Sequence, residues 1–234
     1  MRYVDLPPQE PKSAVPVLLL HGFGTNFGMN WRDTGWPRVL GAAGRRLIGP
    51  DLRGHGASDK PTESRLYLPE HFVADILSVL DELGVDRVDA VGYSMGARLA
   101  WELALVAPER VRRLVLGGFG PGDVLAGLDA ERPGAGDSSF DQVYQAVAGI
   151  PGNDKEALAA CVRGQASRPF QETPRPEGMP VLFVCGARDT VAEGAADLAE
   201  RCGGSHVEIP GRDHLNAVSS RVFKQAVVDF LVQG

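Results

Sequence analysis

Cysteine is scarce in this chain: Cys161, Cys185 and Cys202 are the only three among 234 residues. An odd number without C-x-x-C spacing argues against a disulfide framework or a zinc cluster and leaves three ordinary thiols. Cys185 closes the apolar run Val181-Leu182-Phe183-Val184-Cys185 and is expected in the core. A metal-ligand cluster is missing too, so neither a metal nor an organic cofactor is expected. There is no basic excess, with 24 Lys and Arg against 30 Asp and Glu and a net charge of −6. That balance, with its arginines scattered, argues against a nucleic-acid or membrane surface as partner. Long apolar runs are also lacking. The segment Met1-Arg2-Tyr3-Val4-Asp5-Leu6-Pro7-Pro8 has no signal-peptide core, and the run at 15–20 is interrupted by Pro16. A cytoplasmic protein acting on small molecules is the expectation, with a homodimer left open.

What is present is enough for one domain. With 44% hydrophobic and 23% charged residues, the chain can bury a central sheet between helix layers. Short apolar runs at 15–20, 46–48, 88–91, 111–116, 181–185 and 206–209 alternate with helical segments, which predicts an α/β fold with a mostly parallel sheet and helices on both faces. Residues 71–83 carry apolar side chains at helical spacing, and 218–231 do so again at the end of the chain. Between 117 and 180 the chain turns rich in Gly and Pro, with helices expected at 140–149 and after Asn153, where Asn153 and Glu156 fit a capping box. A connection of that length points to a lid. The division is therefore a core of 1–117, a lid insertion at 118–179, and a second part of the core at 180–234.

Gly92-Tyr93-Ser94-Met95-Gly96 carries the chemistry. It follows one apolar strand and precedes one helix, the setting of a sharp turn that holds its central serine exposed, with small residues two positions either side so that strand and helix can approach. A serine hydroxyl needs a base, and the base needs a partner to hold its tautomer. Asp189 and His214 each lie on a loop just past the end of an apolar run, the edge where open parallel sheets place their sites. Asp123, after the preceding run, is an alternative acid. Asp213 adjoins His214 and is badly placed to reach its ring.

The order Ser, Asp, His resembles the α/β-hydrolase superfamily, in its branch of serine esterases, lactonases and perhydrolases. His21-Gly22-Phe23-Gly24 is similar to that family's H-G-x-G turn. The stretch Asp51-Leu52-Arg53-Gly54-His55-Gly56-Ala57-Ser58-Asp59 resembles its D-x-R-G-x-G-x-S-D loop, and Gly186-Ala187-Arg188-Asp189 and Gly211-Arg212-Asp213-His214 resemble its G-x-x-D and G-x-x-H. The resemblance implies a catalytic triad of Ser94, Asp189 and His214 and an oxyanion hole from the backbone N–H groups of Phe23 and Met95. The Phe23 side chain lines the acyl pocket or packs in the core, while Arg53, His55, Trp31 and Trp36 are structural. Epoxide hydrolases and dehalogenases of this fold have Asp where this chain has Ser94, so the expected reaction is hydrolysis of a small-molecule ester or lactone.

Tyr93-Ser94-Met95-Gly96-Ala97-Arg98 also resembles the nucleophile segment of the menaquinone-pathway synthase, G-Y-S-x-G-G-R-x-A, although Ala97 replaces its second glycine. By that resemblance Arg98 would bind a substrate carboxylate in a lyase or C–C hydrolase. Arg98 could equally pair with Glu102 one turn on. A non-catalytic binding protein on the same fold is the third alternative.

Overall fold

The computed structural model describes residues 1–232. Strands β1 (Arg2–Leu6), β2 (Val17–Leu20), β3 (Leu47–Asp51), β4 (Val88–Tyr93), β5 (Val111–Gly117), β6 (Val181–Gly186) and β7 (Ser205–Ile209) form one sheet in the spatial order β1-β3-β2-β4-β5-β6-β7. β1 runs antiparallel to β3 and every other pairing is parallel. The six expected apolar runs supply β2 to β7. β1 is an addition, and none of its five residues is buried, so it lacks the apolar signal that marks the others.

Parallel strands buried on both faces read as continuous apolar runs because successive side chains enter different cores. In β2, Leu18 and Leu20 join one core with Phe72, Ile76 and Trp101, whereas Val17 and Leu19 join another with Trp36, Leu40 and Phe223. Helices α1 (Trp36–Ala42) and α7 (Arg221–Val232) cover the second face, and α2 (Pro69–Glu82), α3 (Met95–Val106) and α6 (Ala195–Arg201) cover the first. Trp31 and Trp36 are fully buried, packed edge to face at 5.2 Å. At the N-terminal end of β4, buried Asp89 receives Arg45 and Arg112, both of which also donate to the Leu231 carbonyl and so pin the end of α7.

Between β5 and β6 the chain forms α4 (Ser139–Val147) and α5 (Lys155–Ala166). A capping box starts α4: the Ser138 hydroxyl accepts from the Asp141 N–H, and the Asp141 carboxylate accepts from the Ser138 N–H. The cap of α5 differs from expectation. It is Asp154, whose carboxylate accepts from the Glu156 and Ala157 N–H groups at 2.9 and 3.0 Å. Asn153 does not cap because its amide donates to the carbonyls of Gly24 and Val147. Among the described residues no helix is long and apolar enough to cross a membrane.

Candidate active site

β4 passes into α3 through Ser94, held at φ 54° and ψ −118°. It is the one non-glycine residue at positive φ among those described, a conformation that costs on the order of 1–3 kcal/mol and persists only where packing enforces it. The flanking glycines provide that enforcement. A Cβ on Gly92 would lie 2.2 Å from the Gly96 carbonyl oxygen, and one on Gly96 would lie 2.1 Å from the Leu20 carbonyl oxygen. Strand and helix can meet at this angle only without side chains there.

The loops after β6 and β7 bring two more groups to the same sheet edge. His214 Nε2 is 2.9 Å from Ser94 Oγ, and His214 Nδ1 is 2.9 and 3.0 Å from the two carboxylate oxygens of Asp189. Asp189 Oδ1 also accepts from the N–H groups of Val191 and Ala192, which fixes the carboxylate. A carboxylate can only accept, so the imidazole carries its proton on Nδ1 and offers the Nε2 lone pair to the serine. Tyr93 braces the loop that carries His214, its hydroxyl donating to the His214 carbonyl at 2.6 Å. Asp189 and His214 are both buried.

The competing acids are placed elsewhere. Asp123 lines the pocket, and its carboxylate accepts from the Leu125 N–H at 3.3 Å. Asp213 accepts from the N–H groups of Leu215 and Asn216, closing the turn that carries His214.

The turn at residues 21–24 is braced from several sides. Buried His21 accepts from the Leu52 N–H at Nε2, 2.9 Å away, so its proton is on Nδ1, 2.8 Å from the Gly22 carbonyl. Burial lowers the His21 pKa to about 4 and that of neighbouring His55 to about 3. Gly22 donates to Asn30 Oδ1 at 2.9 Å, and a Cβ on it would be 3.5 Å from the Ser94 Cβ. The turn thus lies against the elbow. Neither the Phe23 nor the Met95 N–H is spent on a turn or loop hydrogen bond among the described residues. The Phe23 ring both lines the pocket and packs on Phe140 and Tyr144.

A pocket opens on Ser94 and His214, and most of its wall comes from residues between β5 and β6. Arg98, 7% exposed, lines it. Its Nη2 donates to the Arg168 carbonyl rather than to Glu102. Burial lowers its pKa, while Glu102 and Asp123 oppose that shift through space. Cys161 and Gln165 also line the pocket, and neither was expected there. Their spacing of four on α5 puts them on one helical face, a signal that marks a shared direction and not what that face meets. Cys185 is buried as expected, its thiol 3.1 Å from His206 Nε2 and its pKa raised to about 11 by burial.

Residues 15–137 match the family model of the alpha/beta hydrolase fold. The chain belongs to the α/β-hydrolase family. Among solved structures, it superposes on a hydrolase from Pseudomonas aeruginosa PA01 with a TM-score of 0.75 and 25% identity, covering 99% of this chain and 94% of that one. Among curated proteins, it is 42% identical to epoxide hydrolase 3 of Siraitia grosvenorii over 99 residues, 42% of this chain and 30% of that protein. It is also 42% identical to a 2-hydroxymuconate semialdehyde hydrolase of Pseudomonas putida over 103 residues, 44% and 36% of the two chains. The matches thus span about a third of these two relatives.

Proposed function

We propose that this α/β-hydrolase is a serine hydrolase that cleaves carboxylic esters or lactones of small molecules through an acyl-enzyme on Ser94. The observation that carries the reading is a serine in a strained elbow with its Oγ 2.9 Å from His214 Nε2. His214 takes the Ser94 proton as Oγ attacks the carbonyl carbon, and Asp189 holds the imidazolium that forms. The tetrahedral oxygen is received by the N–H groups of Phe23 and Met95, each donor contributing on the order of 3 kcal/mol to the transition state. His214 then gives its proton to the leaving alkoxide. A water, deprotonated by His214, attacks the acyl-enzyme and releases the acid and Ser94. Residues 118–179, which wall the pocket, act as the lid in this reading.

An epoxide hydrolase of the resembling type attacks with a carboxylate, whereas the nucleophile here is a hydroxyl. The test is covalent labelling with a fluorophosphonate probe. Wild type should label and Ser94→Ala should not; equal labelling of both would end this assignment.

A second reading is favoured by Arg98, a buried cation on the pocket wall whose hydrogen bond goes to a backbone carbonyl and not to a carboxylate. On that reading the substrate is carboxylated and the reaction breaks a carbon–carbon bond. A panel of neutral esters and carboxylate-bearing substrates, measured before and after Arg98→Ala, separates the two. Ester hydrolysis untouched by the substitution removes the motive for the second reading.

A further inference from the structure

β7 ends the sheet, with β6 on one side and no strand on the other among the described residues. Its burial is that of an open edge: Ser205 and Glu208 are exposed, His206 and Val207 are half-buried, and Ile209 alone is buried. Alternate residues of a strand turn their N–H and C=O groups to opposite sides. The Ile209 carbonyl accepts from the Ala187 N–H just past β6, so Ser205, Val207 and Ile209 face inward while His206 and Glu208 present their backbone outward. Such unpaired groups are a template for another strand. The edge continues into a groove against α7, walled by Val207 and by Val222, Ala226 and Phe230, which follow one another at successive turns on one helical face. Val222 is 48% exposed. This apolar stripe is left uncovered beside an unpaired edge.

Pairing of β7 with β7 of a second copy is restricted, because an outward-facing residue must meet an outward-facing residue. Centred on His206, the pairing would set Gly204 against Glu208 of the second copy, but the Gly204 N–H is already spent on the Ala199 carbonyl. Centred on Glu208, it would set His206 against Pro210, which has no N–H, and two Glu208 carboxylates against each other. Centred on Val207, it sets His206 against Glu208 at both ends, and every outward N–H of the strand finds a carbonyl. Each imidazole then stands opposite a carboxylate, with Cβ atoms about 5 Å apart. The Cys185 thiol, kept protonated by burial, donates to His206 Nε2 across 3.1 Å, which puts the ring proton on Nδ1, where it can go to that carboxylate.

The same two-fold axis suits the helices. α7 rests across β6 and β7, one strand spacing from an axis that lies half a spacing outside β7. Two copies of α7 are then two spacings apart, about 10 Å, the separation of packed helices. They run antiparallel, so with Ala226 at the axis Val222 meets Phe230 of the second copy. Val207 and Ala226 wall one groove, which lets a single axis pass beside both.

We propose that the β7 edge and the α7 stripe are a homodimer interface, in which two copies pair antiparallel about Val207 to make one continuous sheet. Sedimentation velocity on the full chain at micromolar concentration should give twice the 25.0 kDa of one chain. Val222→Asp puts a carboxylate against Phe230 of the second copy at a position exposed in the monomer, and should return the mass to that of one chain with an unchanged circular-dichroism spectrum. His206→Glu sets carboxylates opposite each other at both ends of the ladder and should weaken the dimer about tenfold or more. Adding Glu208→Lys to it restores opposite charges and should restore the dimer. In Val207→Cys two thiols meet at the axis, and mild oxidation should give a covalent dimer that Ser205→Cys, displaced from the axis, does not give. A monomeric wild type, a dimer that survives Val222→Asp, no rescue by Glu208→Lys, or no cross-link at position 207 would overturn the proposal. None of the groove residues lines the Ser94 pocket, so the assembly and the hydrolase reading stand or fall separately.

Discussion

The side-chain amide of Asn153 donates to the Gly24 carbonyl across 2.7 Å, joining two residues 129 positions apart. A second bond to the Val147 carbonyl ties the same amide to the end of α4, whose Val147 side chain fills the space where a Cβ of Gly24 would lie. The turn proposed to hold an oxyanion donor is therefore latched to the segment that walls the pocket. Asn153→Ala removes the latch at a cost of about 1 kcal/mol. The expected outcome is a kcat on a short aryl ester lowered about fivefold, with a thermal midpoint lowered by only about 2–4 °C. A variant with wild-type kcat would show that the turn holds without it.

The acid of the proposed triad can be tested by two parallel substitutions. Asp189 grips both the imidazole and two backbone N–H groups, while Asp123 accepts one loop N–H at the pocket wall. Asp189→Asn presents His214 with an amide that can donate, which favours the wrong tautomer, and a loss in kcat of about 10⁴-fold is expected. Asp123→Asn should change kcat by no more than a few-fold. Both are read from steady-state ester hydrolysis at one pH, and the reverse ranking would move the acid to the earlier loop.

The elbow makes a stability prediction. A methyl group on Gly96 would meet the Leu20 and His21 carbonyl oxygens at 2.1 and 2.7 Å, and backbone of a central strand cannot yield as a flexible side chain can. Gly96→Ala should cost on the order of 3 kcal/mol or more, lowering the thermal midpoint by roughly 10 °C in a chain of this size. Gly35→Ala is a useful contrast. Nothing lies within 4 Å of its Cβ, so any loss there comes from its φ of +86° alone.

The sheet was legible because its inner strands are buried on both faces and so appear as apolar runs, with Val17 and Leu19 in one core and Leu18 and Leu20 in the other. β1 was not, because an exposed edge strand carries no such run. The serine elbow was legible from its two glycines, although only Gly92 has a local reason, its Cβ site lying on the Gly96 carbonyl, whereas Gly96 faces the Leu20 carbonyl of β2. The choice between Asp189 and Asp123 was not local: each follows a strand, and only the approach of β7's loop gives one of them the histidine. Asn153 and Asp154 are both good capping residues side by side, so their sequence leaves the choice open. The partner that takes Asn153 away from the cap, Gly24, lies in another part of the chain. The surroundings of Arg98 and Gln165 depend on how α3 and α5 meet, which no single-helix pattern contains.

His21 links the turn to acid stability. Its two nitrogens are both engaged in the neutral ring, Nε2 receiving the Leu52 N–H and Nδ1 facing the Gly22 carbonyl. Protonating Nε2 would abolish the bond from Leu52, and burial already lowers the pKa to about 4, from an ordinary value of 6.5. At pH 7 the ring is neutral in the folded and unfolded chain alike, so it imposes no penalty. As pH falls through 6.5 the unfolded chain takes up a proton that the folded chain refuses, and stability declines until about pH 4, where the folded ring also protonates. The loss amounts to on the order of 3 kcal/mol for this residue, and His55, lowered to about 3, acts in the same direction over a wider range. Thermal midpoints should therefore drop steadily between pH 6.5 and 4, and His21→Gln, whose amide oxygen can still accept from Leu52 and does not titrate, should flatten that slope. The slope is the measurement that matters, since the variant's absolute stability also reflects packing. A folded-state NMR titration of His21 near 6.5, or an unchanged slope in the variant, would show that the acid sensitivity arises elsewhere.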